Sequence, residues 1–170
     1  MALEILYKIE KPSETQLSFQ GDNSHKITEG GYKGKAYGIA WSFNEQYSVP
    51  TDPTTNVAQN QRYSGITIVK NLDKDTPFVR ECCQKGAVIP KVTFHFFHYA
   101  EGKPEHVEYF QVTLRRSRIT SSRVYMPNLT MVSNADEIPH LEEVSFLCEE
   151  VEWKELVGNS MNTLVIKRKS

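Results

Sequence analysis

Residues 65–86, GITIVKNLDKDTPFVRECCQKG, constrain the fold more than any other part of the chain. The segment begins with a β-branched run typical of a strand and ends with Gly86, which can take the left-handed conformation that terminates a helix. Between them, Thr76 is the predicted N-cap, and Pro77 follows at the first helical position, where its missing N–H costs nothing. The segment therefore predicts a strand and one short helix, roughly residues 77–85, and nothing in it performs chemistry.

The short helix is predicted to bury one face. Phe78 and Val79, together with Cys82 or Cys83, recur at the i, i+3 and i+4 spacing of an apolar stripe. The residues expected to cap and pack the helix are therefore Thr76, Pro77, Phe78 and Gly86.

Most of the remaining sequence is predicted to be strand. Runs typical of strands lie at residues 3–10, 35–43, 62–70, 90–100, 107–126, 144–153 and 162–169. Residues 11–34 and 44–61 are polar and contain glycine or proline, which predicts loops. In residues 107–126 and 144–153 the apolar parity slips partway along, which predicts a bulge or a bend where a strand crosses from one sheet to another. Because barrels need such bends at their corners, the predicted fold is mainly β, a β-barrel of two sheets with one short α-helix.

Length and charge limit the classes of function. At 170 residues the chain is expected to form one domain, residues 1–170, with a sizeable core. Its net charge of −1 gives no electrostatic reason to expect nucleic acid or an anionic membrane. No apolar run approaches the roughly 20 residues of a membrane span. The N-terminus alternates apolar and polar residues, unlike a signal peptide. We therefore expect a protein made in the cytoplasm, without a signal peptide or membrane insertion.

No group of residues predicts a catalytic, cofactor or metal site. His95 and His98 are three positions apart, so they point to opposite faces of a strand and are expected to be structural. The chain has no nucleophile elbow, phosphate-binding glycine loop or zinc-protease helix. Cys82, Cys83 and Cys148 make no disulfide framework and are expected to be small buried hydrophobic residues. We expect no enzyme and no cofactor.

A basic run raises the alternative of an RNA-binding face. Its members are Arg115, Arg116, Arg118 and Arg123. Six acidic residues lie in the matching strand region, namely Glu142, Glu143, Glu149, Glu150, Glu152 and Glu155. Because opposite charges on neighbouring strands pair favourably, we expect ion pairs within the chain or between subunits rather than nucleic-acid binding.

The order of several motifs resembles one protein family. Lys70 ends a strand, and Leu-Asp-Lys-Asp-Thr-Pro then opens the predicted helix. The flanking segments are LEILYKIE at 3–10, Gly-Asp-x-x-His-Lys at 21–26, Trp-Ser-Phe at 41–43 and VSFLCEEVEW at 144–153. Over nearly the whole chain this order resembles the Hcp family, the tube-forming proteins of the bacterial type VI secretion system.

The resemblance implies a structural role. Such a protein assembles into hexameric rings, and the rings stack head to tail into the inner tube of the secretion apparatus. A contractile sheath expels the tube with its spike protein, and small effectors travel inside the ring lumen. The protein is then in the bacterial cytoplasm before firing and is secreted without a signal peptide.

The predicted loop 44–61 is the candidate contact with a neighbouring subunit or ring. So long an excursion in a compact domain is usually functional or bound to a partner. Without such a partner, the apolar side chains of the loop would have nothing to pack against. These side chains are Tyr47, Val49, Pro50 and Val57. The alternatives are a phage-type tail-tube protein, a ligand-binding β-barrel of the lipocalin type and a hydrolase on a β-barrel.

Overall fold

The computed structural model describes residues 4–21, 34–47, 61–99, 106–127 and 140–166. Nine strands and one helix lie in these residues. In chain order they are β1 Glu4–Ile9, β2 Ala36–Gly38, β3 Ala40–Tyr47, β4 Gln61–Asn71, α1 Thr76–Lys85, β5 Ile89–Tyr99, β6 His106–Tyr125, β7 Leu141–Leu147, β8 Glu150–Glu155 and β9 Met161–Val165. The prediction of a mainly β protein with one short helix is confirmed.

The sheet closes on itself into a barrel. Its strands are hydrogen-bonded in the order β2, β1, β5, β6, β7, β4 and β3, and each adjacent pair is antiparallel. The two ends of this order, β2 and β3, are one bent strand interrupted only at Ile39. The Ile39 N–H donates to the Val69 carbonyl at 2.7 Å, which carries the pairing across the bend. This closure is the barrel that the sequence predicts.

Strand β6 joins the two halves of the sheet. Its first part pairs with β5 and β8, and its second part, from Arg118 onward, pairs with β7. Arg116 at the junction has a positive φ of 51°, and the register shifts again between Ile119 and Ser121. The predicted bend in residues 107–126 is therefore confirmed, and it marks a strand that crosses between sheets.

The other predicted bent strand is two strands. Residues 144–153 divide into β7 and β8, which are separated by Cys148 and Glu149. Strand β7 pairs with β4 and β6, whereas β8 pairs with β6 and β9. The Glu149 N–H donates to the Arg115 carbonyl, so the break lies opposite the bend in β6. Strand β6 and the β7–β8 segment therefore pass from one sheet to the other at the same place, and this crossing explains the parity slip in both sequences.

The predicted loop 44–61 is shorter than expected, which corrects the sequence analysis. Strand β3 continues to Tyr47, and β4 already begins at Gln61. These two residues face each other in the register of the pair. The sequence of residues 44–47 has no apolar alternation, but β4 supplies partners for its backbone groups. Tertiary pairing thus overrides a weak local pattern.

The barrel interior holds one main core. Tyr7, Phe94 and Phe146 are among its largest buried side chains. Helix α1 adds Phe78, Val79 and Cys82 to the same core. Further members of this core are Ile66, Ile68, Ile89, Val92, Val112, Leu114, Val144 and Val151. The helix therefore closes part of the barrel as an integral element of the core.

We predict that Gly21→Ala destabilises the fold by at least about 2 kcal/mol. Gly21 has a φ of 73°, and an added Cβ would overlap the Gly34 carbonyl carbon. Gly34→Ala is the matched control, because φ there is 78° but nothing lies within 4 Å of an added Cβ. That control should cost about 1 kcal/mol through backbone strain alone. Urea denaturation measures the free energy of unfolding of both variants. Equal losses of stability would show that the close contact between the Gly21 and Gly34 backbones is unimportant.

Candidate assembly surface

The start of helix α1 differs from the prediction. Asp75 is the N-cap residue, Thr76 is the first helical residue, and Pro77 is the second. The Asp75 carboxylate caps no helical N–H but accepts the N–H groups of Gln20 and Gly21 at 2.7 and 2.9 Å. The Thr76 hydroxyl donates to the buried Glu142 carboxylate at 2.9 Å. The prediction of Thr76 as N-cap is therefore wrong, because its hydroxyl oxygen accepts the Asp73 N–H and the Lys70 ammonium, both at 3.2 Å, rather than a helical N–H.

Pro77 is one position later in the helix than predicted, although it still lies in the first turn. Phe78 is buried together with Val79 and Cys82, as the apolar stripe predicts. Gly86 ends the helix in the left-handed conformation with a φ of 57°. Its neighbour Ala87 donates its N–H to the Cys82 carbonyl at 3.0 Å, which satisfies one of the last helical acceptors.

A buried ion cluster, formed by Lys70, Asp73, Thr76, Ser122 and Glu142, joins the helix to three strands. The Lys70 ammonium lies 2.7 Å from the Asp73 carboxylate and 3.0 Å from the Glu142 carboxylate. Ser122 donates to the second oxygen of Glu142 at 2.8 Å. Both Lys70 and Glu142 are 0% exposed, and the Lys70 ammonium also donates to the Asn71 carbonyl at 2.9 Å, so protein groups take the place of water around both charges.

The sequence analysis missed this cluster, although one signal for it is visible in the strand patterns. Lys70 shares the inward parity of Ile66 and Ile68, and Glu142 shares the inward parity of Val144. A charged residue at an inward position of a strand must find a partner or pay a large desolvation cost. Lys70 and Glu142 face each other in the register of β4 and β7, so the pair satisfies that requirement.

Helix α1 also holds the first loop of the chain through Glu81. Its carboxylate accepts the N–H groups of Gln16 and Leu17, both at 2.9 Å, and the Lys85 ammonium at 2.7 Å. The Gln16 bond, the Lys85 bond and the Leu17 bond lower the pKa of Glu81 to about 2. The exposed helix face is thus bonded to the segment that follows β1.

We predict an acid-dependent contribution of Glu81 to stability. Since the folded pKa lies below the ordinary value of 4.5, these bonds stabilise the fold fully above pH 4.5 and are lost as the pH falls toward 2. The free energies of unfolding of the native protein and of Glu81→Gln should differ most near neutral pH. The difference should shrink as the pH falls from 4.5 toward 2. Denaturation titrations at several pH values measure this, and a difference that does not change with pH would contradict it.

Three of the four arginines in the basic run form ion pairs with acidic residues of β7, of β8 or of the break between them, as the prediction of ion pairs within the chain requires. Nitrogen–oxygen distances in these ion pairs lie between 2.8 and 3.4 Å. The pairs are Arg115 with Glu150 and Glu152, Arg116 with Glu149, and Arg123 with Glu143. Arg118 instead donates to the Gly86 carbonyl at the end of the helix. The arginines therefore serve contacts within the chain.

His95 and His98 contact other side chains of the same chain. The buried His95 lies 2.5 Å from the Glu108 carboxylate, and His98 packs edge-on against Tyr109. Desolvation raises the pKa of Glu108, but hydrogen bonds from His95 and Gln111 outweigh it and lower the pKa overall. Among the described residues, no group of three metal-ligating side chains occurs.

Burial decides the chemistry of the thiols. The three cysteines form no disulfide with one another, and Cys82 and Cys148 are buried. Burial raises the pKa of Cys82 to about 12, so its thiol stays protonated and unreactive near neutral pH. The prediction of small buried hydrophobic residues holds for these two positions, whereas Cys83 is only half-buried.

The β8–β9 hairpin is the clearest candidate for contact with another molecule. Val157 is 78% exposed, Met161 65% and Val165 57%. Trp153, which belongs to β8, lies with its ring centroid 6.3 Å from that of Phe110 on β6. Three large apolar side chains of one hairpin are thus exposed, and exposed apolar surface is what interaction sites use.

The predicted contact residues lie elsewhere. Tyr47 is the last residue of β3, at the end of the barrel strand that leads into the predicted loop. Val49, Pro50 and Val57 lie outside the described residues. In the part of the chain that the structure describes, no helix has the length and apolar character of a membrane span.

Comparison with known proteins agrees with this architecture. A family model described as type VI secretion system effector, Hcp, matches residues 20–154. A search of curated proteins found no match.

Solved structures with the same fold cover nearly the whole chain. A crystal structure of an Hcp protein has a TM-score of 0.82 at 21% identity, covering 98% of this chain and 99% of that one. The secreted protein Hcp3 from Pseudomonas aeruginosa has a TM-score of 0.71 at 16% identity, covering 98% and 100%. Hcp1 from Salmonella typhimurium has a TM-score of 0.69 at 17% identity, covering 96% and 95%. At these identities the structures show a shared fold.

Proposed function

The chain belongs to the Hcp family of the type VI secretion system, and we propose that it is a tube subunit without catalytic activity. Its proposed partners are other copies of itself, the contractile sheath, the spike protein and small effectors. The observation that carries the proposal is the family match over residues 20–154, which includes the barrel from β2 to β8 and the helix. The barrel agrees with a structural role, since buried apolar side chains fill the space between its described strands.

The proposed assembly is a hexameric ring, and rings stack into the expelled tube. A ring of identical subunits needs two different contact surfaces on each copy, one for each neighbour. Before firing the protein resides in the bacterial cytoplasm, and it leaves the cell folded, through the secretion apparatus and without a signal peptide. The large core and the helix built into it support a subunit that stays folded during this passage.

We also propose that the segment after β3 contacts a neighbouring subunit or ring. Tyr47 would begin this contact, and Val49, Pro50 and Val57 would be its apolar anchors. Support comes from the position of Tyr47 as the last residue of barrel strand β3. Connections that carry prolines and polar residues are where binding functions concentrate.

Sedimentation of the purified protein at micromolar concentration tests the assembly. We expect a single species several times heavier than the 19.5 kDa chain, with the shape of a ring by electron microscopy. A chain without residues 48–57 should keep the cooperative melt and lose stacking and secretion. A monodisperse monomer of the full chain would contradict the tube assignment, and loss of folding after the deletion would place the loop in the core.

A further inference from the structure

A pocket of about 240 Å³ lies beside the turn that joins β8 to β9. Phe110 and Glu155 face each other in the register of β6 and β8. Trp153 is two positions before Glu155 and therefore lies on the same face of the sheet. We call this space the hairpin pocket, and its lining side chains are Phe110, Trp153, Glu155, Ser160, Met161 and Asn162.

Two aromatic rings form walls of the hairpin pocket. The centroids of Phe110 and Trp153 are 6.3 Å apart, and the ring planes are inclined by 56°. Both rings pack against the main core, and the Trp153 ring also has an edge contact with Phe43 at 4.8 Å. The walls are therefore fixed in place. The face of an aromatic ring carries the negative end of its quadrupole, which attracts a cation.

The turn holds the Glu155 carboxylate at the pocket. One carboxylate oxygen accepts the Val157 N–H at 2.8 Å, and the other accepts the Gly158 N–H at 2.5 Å. The approach is so close that a Cβ at Gly158 would lie 2.9 Å from a Glu155 oxygen. Both donors are electrically neutral, so they orient the carboxylate without neutralising it, and each oxygen keeps room for a further bond.

Glu155 differs from the other acidic residues of its region in having no cation beside it. The sequence analysis placed six acidic residues there, and five of them form an ion pair with a lysine or an arginine, namely Glu142, Glu143, Glu149, Glu150 and Glu152. In the described part of the chain, Glu155 forms none, and its carboxylate bonds are those to the turn. A ligand can therefore supply the missing positive charge.

We propose that the hairpin pocket binds a small organic ammonium ion whose nitrogen carries alkyl groups. The alkyl groups contact Phe110, Trp153 and Met161, and the positive charge lies between the ring faces and the Glu155 carboxylate. A cavity of about 150 Å³ is large enough for benzene, so the hairpin pocket has room for a trimethylammonium group with a short substituent.

The side chains of the pocket disfavour other classes of ligand. The Glu155 carboxylate repels an anion. Hard metal ions need several oxygen ligands at once, whereas the pocket has a single carboxylate. A neutral apolar ligand would cover the Glu155 charge without replacing the water that solvates it. An alkylated ammonium ion matches the aromatic walls and the carboxylate together.

Titration calorimetry on the full chain tests the charge requirement. Choline is the probe, and 3,3-dimethylbutan-1-ol is its uncharged analogue, with carbon in place of the nitrogen. Choline should bind saturably with a dissociation constant of about 1 mM or tighter. The alcohol should bind at least about tenfold more weakly, because it gains neither the ring faces nor the carboxylate as a partner for charge. Equal binding of the two compounds, or no saturable binding of choline, would overturn the inference.

Two variants change the carboxylate in different ways. Glu155→Gln removes the charge and should weaken choline binding at least about tenfold. Gly158→Ala keeps the charge but displaces the carboxylate with its new Cβ, and it should weaken binding at least about threefold. Glu152→Gln is the matched control, because Glu152 lies on the same strand, points to the opposite face and pairs with Arg115. Its effect should stay within about twofold. Unchanged binding in a folded Glu155→Gln would overturn the inference.

Methionine methyl NMR on the native protein locates the site without any variant. The Met161 methyl resonance should shift on addition of choline, with the dissociation constant that calorimetry gives. Met126 is the control, since it is similarly exposed, 61% against 65%, and does not line the pocket. A choline-dependent shift at Met126 alone, or at neither methyl group, would overturn the inference even if the variants failed to fold.

A lipid headgroup is the other source of a trimethylammonium group. Flotation with phosphatidylcholine vesicles separates the two sources, and protein that binds vesicles but not free choline would overturn the assignment to a free ion. Ring assembly is judged separately by sedimentation. Monomers that bind choline would contradict the tube function and support the inference, whereas rings without choline binding would do the reverse.

Discussion

Lys70→Met is expected to destabilise the subunit by about 3–5 kcal/mol, because it removes the cation from the buried ion cluster. The substitution leaves the carboxylates of Asp73 and Glu142 facing the space that the ammonium occupied, and Glu142 is fully buried. Methionine keeps most of the side-chain volume, so the loss reports charge rather than a cavity. Urea denaturation at a fixed protein concentration measures it, since assembly also contributes to apparent stability.

Three comparison variants test whether charge is the reason. Glu142→Gln should cost less than Lys70→Met, because Lys70 keeps its contact with Asp73 at 2.7 Å. The double variant should recover part of the loss, since it removes a buried charge of each sign. Lys74→Met changes an exposed lysine in the same segment and should stay within about 0.5 kcal/mol. A loss of equal size for Lys74→Met would refute the role of the buried ion cluster.

Phe78→Ala is expected to cost about 3–5 kcal/mol through a cavity in the core. The ring is 1% exposed and lies 6.2 Å from the Phe19 ring, centroid to centroid, so its loss opens space between the helix and the first loop. Arg80→Ala, on the exposed face of the same helix, is the control and should be nearly neutral. Thermal and urea unfolding measure both.

The same variants separate folding from docking. Because Phe78 belongs to the core, secretion of Phe78→Ala should fall only in proportion to the amount of folded, assembled protein. The Arg80→Ala variant should be secreted like the native protein. A helix variant that folds and assembles normally but is not secreted would show that helix α1 docks a partner such as the sheath.

Predictions succeeded where the local sequence carries the physical reason. Helix α1 has proline in its first turn, glycine at its end and an apolar stripe, and each of these acts within a few residues. The bend in β6 was visible because a crossing between sheets reverses which parity is buried. The boundary of β3 was missed because residues 44–47 become strand only through pairing with β4.

By itself, the sequence determined the class of fold, the position of the helix and the family of the protein, since all three depend on local patterns and on motif order. Only the tertiary structure decided the roles of Thr76 and Asp75, the burial of Lys70 and Glu142, and the pairing of β9 with β8. The physical reason is common to these cases. A hydroxyl, a carboxylate or an unpaired N–H takes the partner that lies nearest in space, and strands far apart in the chain determine which partner that is.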